Sequence, residues 1–344
     1  MKIAINGFGR IGRTFFRVAH EKGMDIVAIN DLADCKTLAH LLKFDSNYGI
    51  LDASVEAGNN LIKVDDKEIK CLNQKDINSL LWQNLGIDLV IESTGVFRDL
   101  ESLKQHIVAG AKRVVLTAPI KADSNDQNTA SCKTIVLSVN EDTISDNDKI
   151  ISMASCTTNC LAPILKILND SLGIENAVMS TIHSYTMDQV LQDSPHKDIR
   201  RARSALLSII PTTTGATDAV ELVIPELKGK LLGISYRIPT STVSIVDLVA
   251  KVKKTTSTDE INNIFKEAKQ EKRYASALDV TDLPLVSRDF LGNPHGAIVD
   301  LSLTQVINEN TIKVVAWYDN ELGYSHRLVN LVEYLSNRSF ENTN

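Results

Sequence analysis

The chain reads as an α/β protein of two domains, one a Rossmann-type parallel domain and the other an α+β catalytic domain with a mostly antiparallel sheet. Three features predict this. A strand, a glycine-rich turn and a helix open the chain; short apolar β-runs then alternate with helical spacings to about residue 155; from residue 177 the β-runs lengthen and follow one another directly. At 344 residues, each half has enough chain to bury its own core.

Residues 2–5 form the first strand, followed by Gly7-Phe8-Gly9-Arg10-Ile11-Gly12 and then a helix over 13–21 with Phe15, Phe16 and Ala19 at helical spacing. A second strand at 25–29 ends in Asn30-Asp31, which places an acid 19 residues after Gly12. Strand, glycine turn, helix, strand and acid in that order are the dinucleotide-binding fingerprint in its required context. Gly7 makes the turn, Gly9 admits a pyrophosphate to the backbone, and Gly12 lets helix pack on strand. Asp31 is placed to take the adenosine ribose hydroxyls and to repel a 2′-phosphate, which favours NAD over NADP. Further β-runs at 87–92, 113–117 and 134–139, with a helix over 100–109, continue a parallel sheet. Such sheets bind ligands beyond the carboxyl ends of their strands, where Gly95, Thr117 and residues 151–156 should emerge.

The next stretch, Ala154-Ser155-Cys156-Thr157-Thr158-Asn159-Cys160, joins an apolar run to a helical pattern. A thiol near a helix N-terminus meets unpaired N–H groups and the positive end of the macrodipole, so the expectation is a lowered pKa and a nucleophilic Cys156. Ser155 and Thr157 read first as helix-capping hydroxyls around it. Long β-runs follow at 177–184, 231–238, 243–252, 297–303 and 312–317. A helix at 257–271 opens on a capping box of Ser257 and Glu260, and a last helix covers 325–337.

Bulk properties narrow the function. A formal charge of −6 argues against general attraction to nucleic acid or anionic membrane, so any anion site must be local. No apolar run approaches the roughly 20 residues of a membrane helix, and the N-terminus reads as strand rather than signal peptide, so a cytoplasmic protein is expected. Cys35, Cys71, Cys132, Cys156 and Cys160 are odd in number and lack disulfide or zinc spacing, which makes reduced thiols and no metal site the expectation. The only low-complexity tract is the short polar segment at 123–131.

His183 ends a β-run and opens His183-Ser184-Tyr185-Thr186; beside Cys156 it reads as an acid–base partner for a thiol. The basic run at 196–203 leads into Ile209-Ile210-Pro211-Thr212-Thr213-Thr214-Gly215-Ala216, a turn rich in hydroxyls and free N–H groups that suits phosphate. Arg237 stands among apolar strand residues and calls for an anionic partner.

Together, residues 6–13, 154–163, 183–186, 195–203, 209–216, 237–239 and 317–325 resemble, in order and over essentially the whole chain, the phosphorylating glyceraldehyde-3-phosphate dehydrogenase family. The resemblance implies that Cys156 attacks the aldehyde of glyceraldehyde 3-phosphate with His183 as acid and base. A hydride then passes to NAD, and inorganic phosphate releases 1,3-bisphosphoglycerate from the thioester. It implies Thr186, Arg201 and Arg237 as ligands of the substrate phosphate, and Ser155, Thr157, Thr214 and Gly215 as ligands of the attacking phosphate. For the cofactor it implies Arg10 and Ile11 at the pyrophosphate, Lys75 near the adenine, Thr117 at the nicotinamide ribose, Asn320 on the carboxamide and Tyr324 against the nicotinamide ring. It further implies an NAD-binding domain of residues 1–155 and 319–344, a catalytic domain of 156–318, and a homotetramer with residues 185–208 at a subunit interface.

The chain departs from the family pattern in four places. Ser194 replaces a leucine that helps exclude the NADP phosphate, Gln74-Lys75-Asp76 replaces Glu-Arg-Asp, residues 121–133 are longer, and Leu322 replaces a tryptophan. The alternative within the superfamily is erythrose-4-phosphate dehydrogenase, whose flavour appears at 30–34, 39–43 and 293–295; Thr186 and residues 213–216 favour the triose enzyme. A catalytically idle binding protein on the same fold is opposed by the intact Cys156, His183 and phosphate motifs.

Overall fold

The computed structural model describes residues 1–121 and 132–341, with side chains to residue 338, so the polar segment at 123–131 lies outside the described residues. Two compact units are present: residues 1–135, 142–154 and 328–344, and residues 136–141 and 155–327.

The first unit is built on a nine-stranded sheet. Lys133–Thr134, Ile150–Ser152, Arg113–Leu116, Leu89–Glu92, Lys2–Asn6, Asp25–Asn30 and Lys67–Leu72 run parallel in that spatial order, and Leu61–Val64 and Val55–Gly58 close one edge antiparallel. Ala4, Ala28, Val90 and Val114 pack with Trp82 and Leu103 in its core, as expected for strands covered on both faces. The first helix is Arg10–Glu21 and starts three residues before the expected position. Gly12 is thus helical, and a Cβ on it would lie 2.2 Å from the Gly7 carbonyl oxygen, so helix and turn touch where only glycine fits. The strand expected over 134–139 stops at Thr134, because Val136 N–H donates to Asn140 Oδ1 and Val139 N–H to the Val136 carbonyl, which turns the chain.

In the second unit the eight-stranded sheet has Ile210–Thr212, Leu231–Ile238, Ile174–Ser184, Ser244–Val252, Thr311–Tyr318, Ala297–Asp300 and Leu278–Thr281 in spatial order, with Gln305–Ile307 also on Thr311–Tyr318. Two pairings, of Ile174–Ser184 with Leu231–Ile238 and of Leu278–Thr281 with Ala297–Asp300, are parallel and the other five antiparallel. The helix Cys156–Leu172 buries Leu161, Ile164, Leu165 and Leu168 completely in this unit's core. Thr258–Gln270 is capped by Ser257, whose hydroxyl accepts from Glu260 N–H at 3.2 Å.

The units do not divide at the expected residues. Ser155 belongs with the helix it caps, and residues 319–327 stay in the second unit because Asp319 accepts from Thr242 Oγ1 at 3.1 Å and Gly292 N–H at 2.8 Å. Buried Arg327 similarly ties the 136–141 segment to this unit by donating to the Leu137 carbonyl at 2.9 Å and to Ser276 Oγ at 2.7 Å. The last helix spans Leu322–Glu341 and changes unit at residue 328.

Candidate active site

Cys156 is the first residue of its helix, after Ala154 at φ +52° and the N-cap Ser155. A positive φ at a non-glycine residue is uncommon and marks a turn held by its surroundings. His183 lies near the end of an 11-residue strand, in register with Arg237 on the neighbouring strand. The thiol and the ring meet, with Cys156 Sγ 3.4 Å from His183 Nε2.

His183 is 3% exposed. Its Nδ1 lies 2.7 Å from the Ser184 carbonyl oxygen and 2.7 Å from Arg237 Nη1, which is itself 3.3 Å from the same carbonyl. A ring nitrogen cannot donate to the carbonyl and accept from the guanidinium at once. With the proton on Nδ1 and donated to Ser184, Arg237 also donates to that carbonyl, and the Nε2 lone pair faces the thiol. This is the tautomer a base requires.

The electrostatics correct one expectation. The helix N-terminus was expected to lower the Cys156 pKa, yet burial pushes the thiol up, against the opposing pull of Arg237, of Thr157 and of backbone N–H groups. Desolvation of a thiolate outweighs the helix end even though the thiol is only half-buried. Burial first, and the Arg237 charge second, lower His183 to about 3. The resting pair is therefore thiol and neutral imidazole, and the proton stays on sulfur until attack on a substrate carbon draws it off.

Arg237 is half-buried, its Nε is buried without a hydrogen-bond partner, and among the described residues no carboxylate pairs with it. A guanidinium so placed suits an anionic ligand. Thr157 Oγ1 is 2.9 Å from Tyr318 Oη, which is 2.9 Å from Thr181 Oγ1, and the Tyr318 ring packs edge-on against His183 at 6.0 Å. Tyr318 was not singled out in the sequence; its role depends on a contact across 161 residues. Asn320 Oδ1 accepts from Ser184 Oγ at 3.0 Å and Ser244 Oγ at 2.9 Å, which leaves its amide nitrogen as the end to meet a ligand. Buried Tyr324 is close enough for the Cys156 thiol to help raise its hydroxyl pKa, after burial itself.

The remaining candidates are engaged within the protein. Ser155 Oγ accepts from Thr158 N–H at 3.1 Å and so does cap the helix. Thr214 Oγ1 accepts from Ala216 N–H at 3.2 Å, with Gly215 as the N-cap of Ala216–Val223. Thr186 donates through N–H and Oγ1 to Gln189 Oε1, and Arg201 pairs with Asp188 and, at 3.2 Å, with Asp198. Thr186 and Arg201 are thus held by adjacent residues, while neither touches Cys156 or His183.

The first unit contains a cavity of about 450 Å³ lined by Gly7, Gly9, Asp31, Lys75, Thr94 and Phe97 among others. Gly7 sits at φ +90°, and a Cβ there would lie 2.5 Å from Thr94 N. A Cβ on Gly9 would meet no atom within 4 Å, which leaves the open approach a pyrophosphate needs. The Arg10, Ile11 and Gly12 amides form the first helical turn, and a helix N-terminus of this kind suits phosphate. The Arg10 side chain pairs with Asp45 and lies 5.7 Å from the Tyr48 ring centroid. Asp31 accepts from Phe8 N–H at 2.8 Å and Ala33 N–H at 3.1 Å, which fixes its carboxylate beside the glycine turn with acceptor capacity left for a ribose. Thr117 donates through Oγ1 to the Glu92 carbonyl at 3.1 Å. These residues fit a bound dinucleotide.

Comparison with known proteins agrees with both halves. The description "Glyceraldehyde 3-phosphate dehydrogenase, NAD binding domain" matches residues 1–100, and "Glyceraldehyde 3-phosphate dehydrogenase, C-terminal domain" matches residues 155–320. The chain is 52% identical to a glyceraldehyde-3-phosphate dehydrogenase of Borreliella burgdorferi, over 97% of this chain and 99% of that one. It is 48% identical to that of Geobacillus stearothermophilus, over 98% and 99%. It is 50% identical to the chloroplastic enzyme A of Zea mays, over 98% and 83%. The chain belongs to the glyceraldehyde-3-phosphate dehydrogenase family.

Proposed function

We propose that the protein is an NAD-dependent dehydrogenase that converts glyceraldehyde 3-phosphate and inorganic phosphate to 1,3-bisphosphoglycerate, with Cys156 as nucleophile and His183 as acid and base. The observation that carries this reading is the 3.4 Å contact of Cys156 Sγ with buried His183 beside Arg237, which among the described residues has no carboxylate partner. His183 Nε2 takes the thiol proton as sulfur attacks the aldehyde carbon and returns it to the oxygen, giving a hemithioacetal. Bound NAD supplies the hydride acceptor. His183 removes the hydroxyl proton as the hydride departs, which leaves a thioester on Cys156. Attack of phosphate on the thioester carbonyl expels the thiolate, which recovers its proton from His183. The Cys156 N–H at the helix start and the His183 ring stabilise charge on the carbonyl oxygen in both additions.

Arg237 holds the substrate phosphate, with Thr186 and Arg201 joining it once the ligand competes with Gln189 and Asp188. Ser155, Thr157, Thr214 and Gly215 receive the attacking phosphate. On the cofactor side, Gly7, Gly9, Arg10, Ile11 and Gly12 take the pyrophosphate, Asp31 the ribose, Lys75 the adenine end, and Thr117, Asn320 and Tyr324 the nicotinamide half. Residues 185–208 form a contact in a homotetramer; Met187, Ile199 and Leu207 are 89%, 83% and 87% exposed, which supports an apolar partner surface there. Among the described residues no helix is long and apolar enough to cross a membrane. The relatives named above favour the triose over the erythrose phosphate.

The test is NADH formation with each aldehyde, with and without inorganic phosphate. Phosphate-dependent turnover with the higher kcat/KM on glyceraldehyde 3-phosphate is expected. A higher kcat/KM on erythrose 4-phosphate without phosphate dependence would overturn the assignment.

A further inference from the structure

Beneath the cavity of the first unit lies a buried carboxylate that the mechanism does not use. Glu92, at the end of the strand Leu89–Glu92, and His106, on the helix Leu100–Val108, are each 0% exposed. Glu92 Oε2 is 2.5 Å from Asn6 Nδ2 and 3.1 Å from His106 Nε2, while Oε1 is 2.8 Å from Thr94 N and also bonded by Thr94 Oγ1. All four partners donate, and the geometry fixes each direction. The Trp82 indole can only donate, and it does so to His106 Nδ1 at 3.0 Å, so the ring proton sits on Nε2 and points at Glu92. Thr94 Oγ1 accepts from Val96 N–H at 3.1 Å, which leaves its own proton for Glu92.

The other branch is ordered in the same way. Gln74 N–H, which can only donate, bonds to Asn30 Oδ1 at 2.9 Å. Asn30 Nδ2 therefore donates to Asn6 Oδ1 at 2.7 Å and to the Gln74 carbonyl at 2.9 Å, and Asn6 Nδ2 turns to Glu92. Donors thus converge on one carboxylate from both branches of the network, and among the described residues no lysine or arginine pairs with it. A buried charge is tolerated where every acceptor site is filled, and removing one donor then costs more than an ordinary hydrogen bond.

What hangs from this charge is the cofactor pocket. Thr94, Val96 and Phe97 line the cavity together with Gln74 and Lys75, and Gly7 lies so close to the Ser93–Thr94 peptide that a Cβ there would collide with it. We propose that Glu92, with His106 as its supporting donor, is the positioning residue that holds both loops of this pocket in their binding geometry before the dinucleotide arrives. The proposal rests on the reading of this unit as the NAD-binding domain, and its test separates the two.

Hydrogen–deuterium exchange and NAD binding by calorimetry are measured on the full-length cofactor-free protein. Glu92→Gln turns one acceptor oxygen into a donor facing donors, so exchange should rise at 73–75 and 93–97 while the strands at 25–30 and 113–116 keep their protection. The Kd for NAD should rise about tenfold or more, the scale of a lost hydrogen bond to a charge. The KM for NAD should rise with it, while kcat at saturating NAD and the KM for the aldehyde stay within about twofold. His106→Phe should give a smaller rise, and His106→Gln, which restores a donor, should return toward wild type. If Glu92→Gln does not fold, Thr94→Val removes one donor at the half-buried end and should raise exchange at 93–97 and the Kd about threefold. Unchanged Kd and exchange in a folded Glu92→Gln protein, or exchange raised uniformly across the unit, would overturn the proposal. Wild-type protein that binds no NAD, with the exchange pattern as expected, would overturn the cofactor reading and leave the positioning of the loops standing.

Discussion

Each unit holds a buried ionisable cluster at its candidate site, and the two are satisfied to opposite degrees. Around Glu92 every acceptor site has a donor whose direction is forced by its neighbours, back to the indole of Trp82 and the backbone of Gln74. Nothing there is left to change. Around His183 the accounting is open: Nδ1 faces two competing partners, the Arg237 Nε has none, and burial holds the thiol and the imidazole in their uncharged forms. A closed set of hydrogen bonds makes a scaffold. An open set makes a place where protons and anions can enter, and the contrast between the two explains why the same physical ingredients serve positioning in one unit and chemistry in the other.

The comparison can be broken most severely at the open cluster. Cys156→Ser should lower kcat by about a thousandfold or more, because a hydroxyl beside a neutral imidazole is a far weaker nucleophile than a thiol, while NAD binding measured by calorimetry is retained. His183→Asn should cost roughly a hundred- to ten-thousandfold in kcat, the usual share of a general acid–base group, without loss of thermal stability. Arg237→Gln should raise the KM for the aldehyde about ten- to a hundredfold, as expected for a lost charge-assisted contact. It also removes the cation that helps depress His183, so the ring pKa should climb from about 3 toward its ordinary value. Because the base works only when unprotonated, the acid limb of the kcat/KM profile moves to higher pH. An acid limb that stays in place would show that Arg237 does not act on His183.

The smaller effects sharpen the boundary between scaffold and site. Gly9→Ala meets open space and should leave the melting temperature unchanged while weakening NAD binding. Gly12→Ala, driven into the Gly7 carbonyl at 2.2 Å, should lower both. Tyr318→Phe deletes the hydroxyl shared by Thr157 and Thr181 and should cost about 1–3 kcal/mol of stability in a thermal or denaturant melt, with only a few-fold loss of kcat.

The parts of this molecule that could be read from the sequence are those that chemistry confines to short stretches. The glycine turn, Asp31, the helix that begins at Cys156 and the histidine at a strand end carry their meaning within a few residues of themselves. What could not be read depends on distance along the chain. The hydrogen bond from Trp82 to His106 and the convergence of Asn6, His106 and Thr94 on Glu92 have no periodicity to betray them, and Tyr318 finds Thr157 across 161 positions. The direction of the Cys156 shift was misjudged for the same reason: the helix end is visible locally, whereas burial belongs to the whole fold. The edge hairpin of Val55–Gly58 and Leu61–Val64 does carry a local signal, Asn59-Asn60 between two β-runs, with Asn60 at φ +56°.

The most direct measurement is a rapid-mixing burst with no inorganic phosphate present. Enzyme mixed with glyceraldehyde 3-phosphate and NAD should form about one NADH per Cys156 and stop, and mass spectrometry of the quenched protein should place the acyl adduct on the peptide that contains Cys156. Phosphate added afterwards should discharge the adduct and start turnover. Steady NADH production without phosphate, or an adduct on any other residue, would contradict the account.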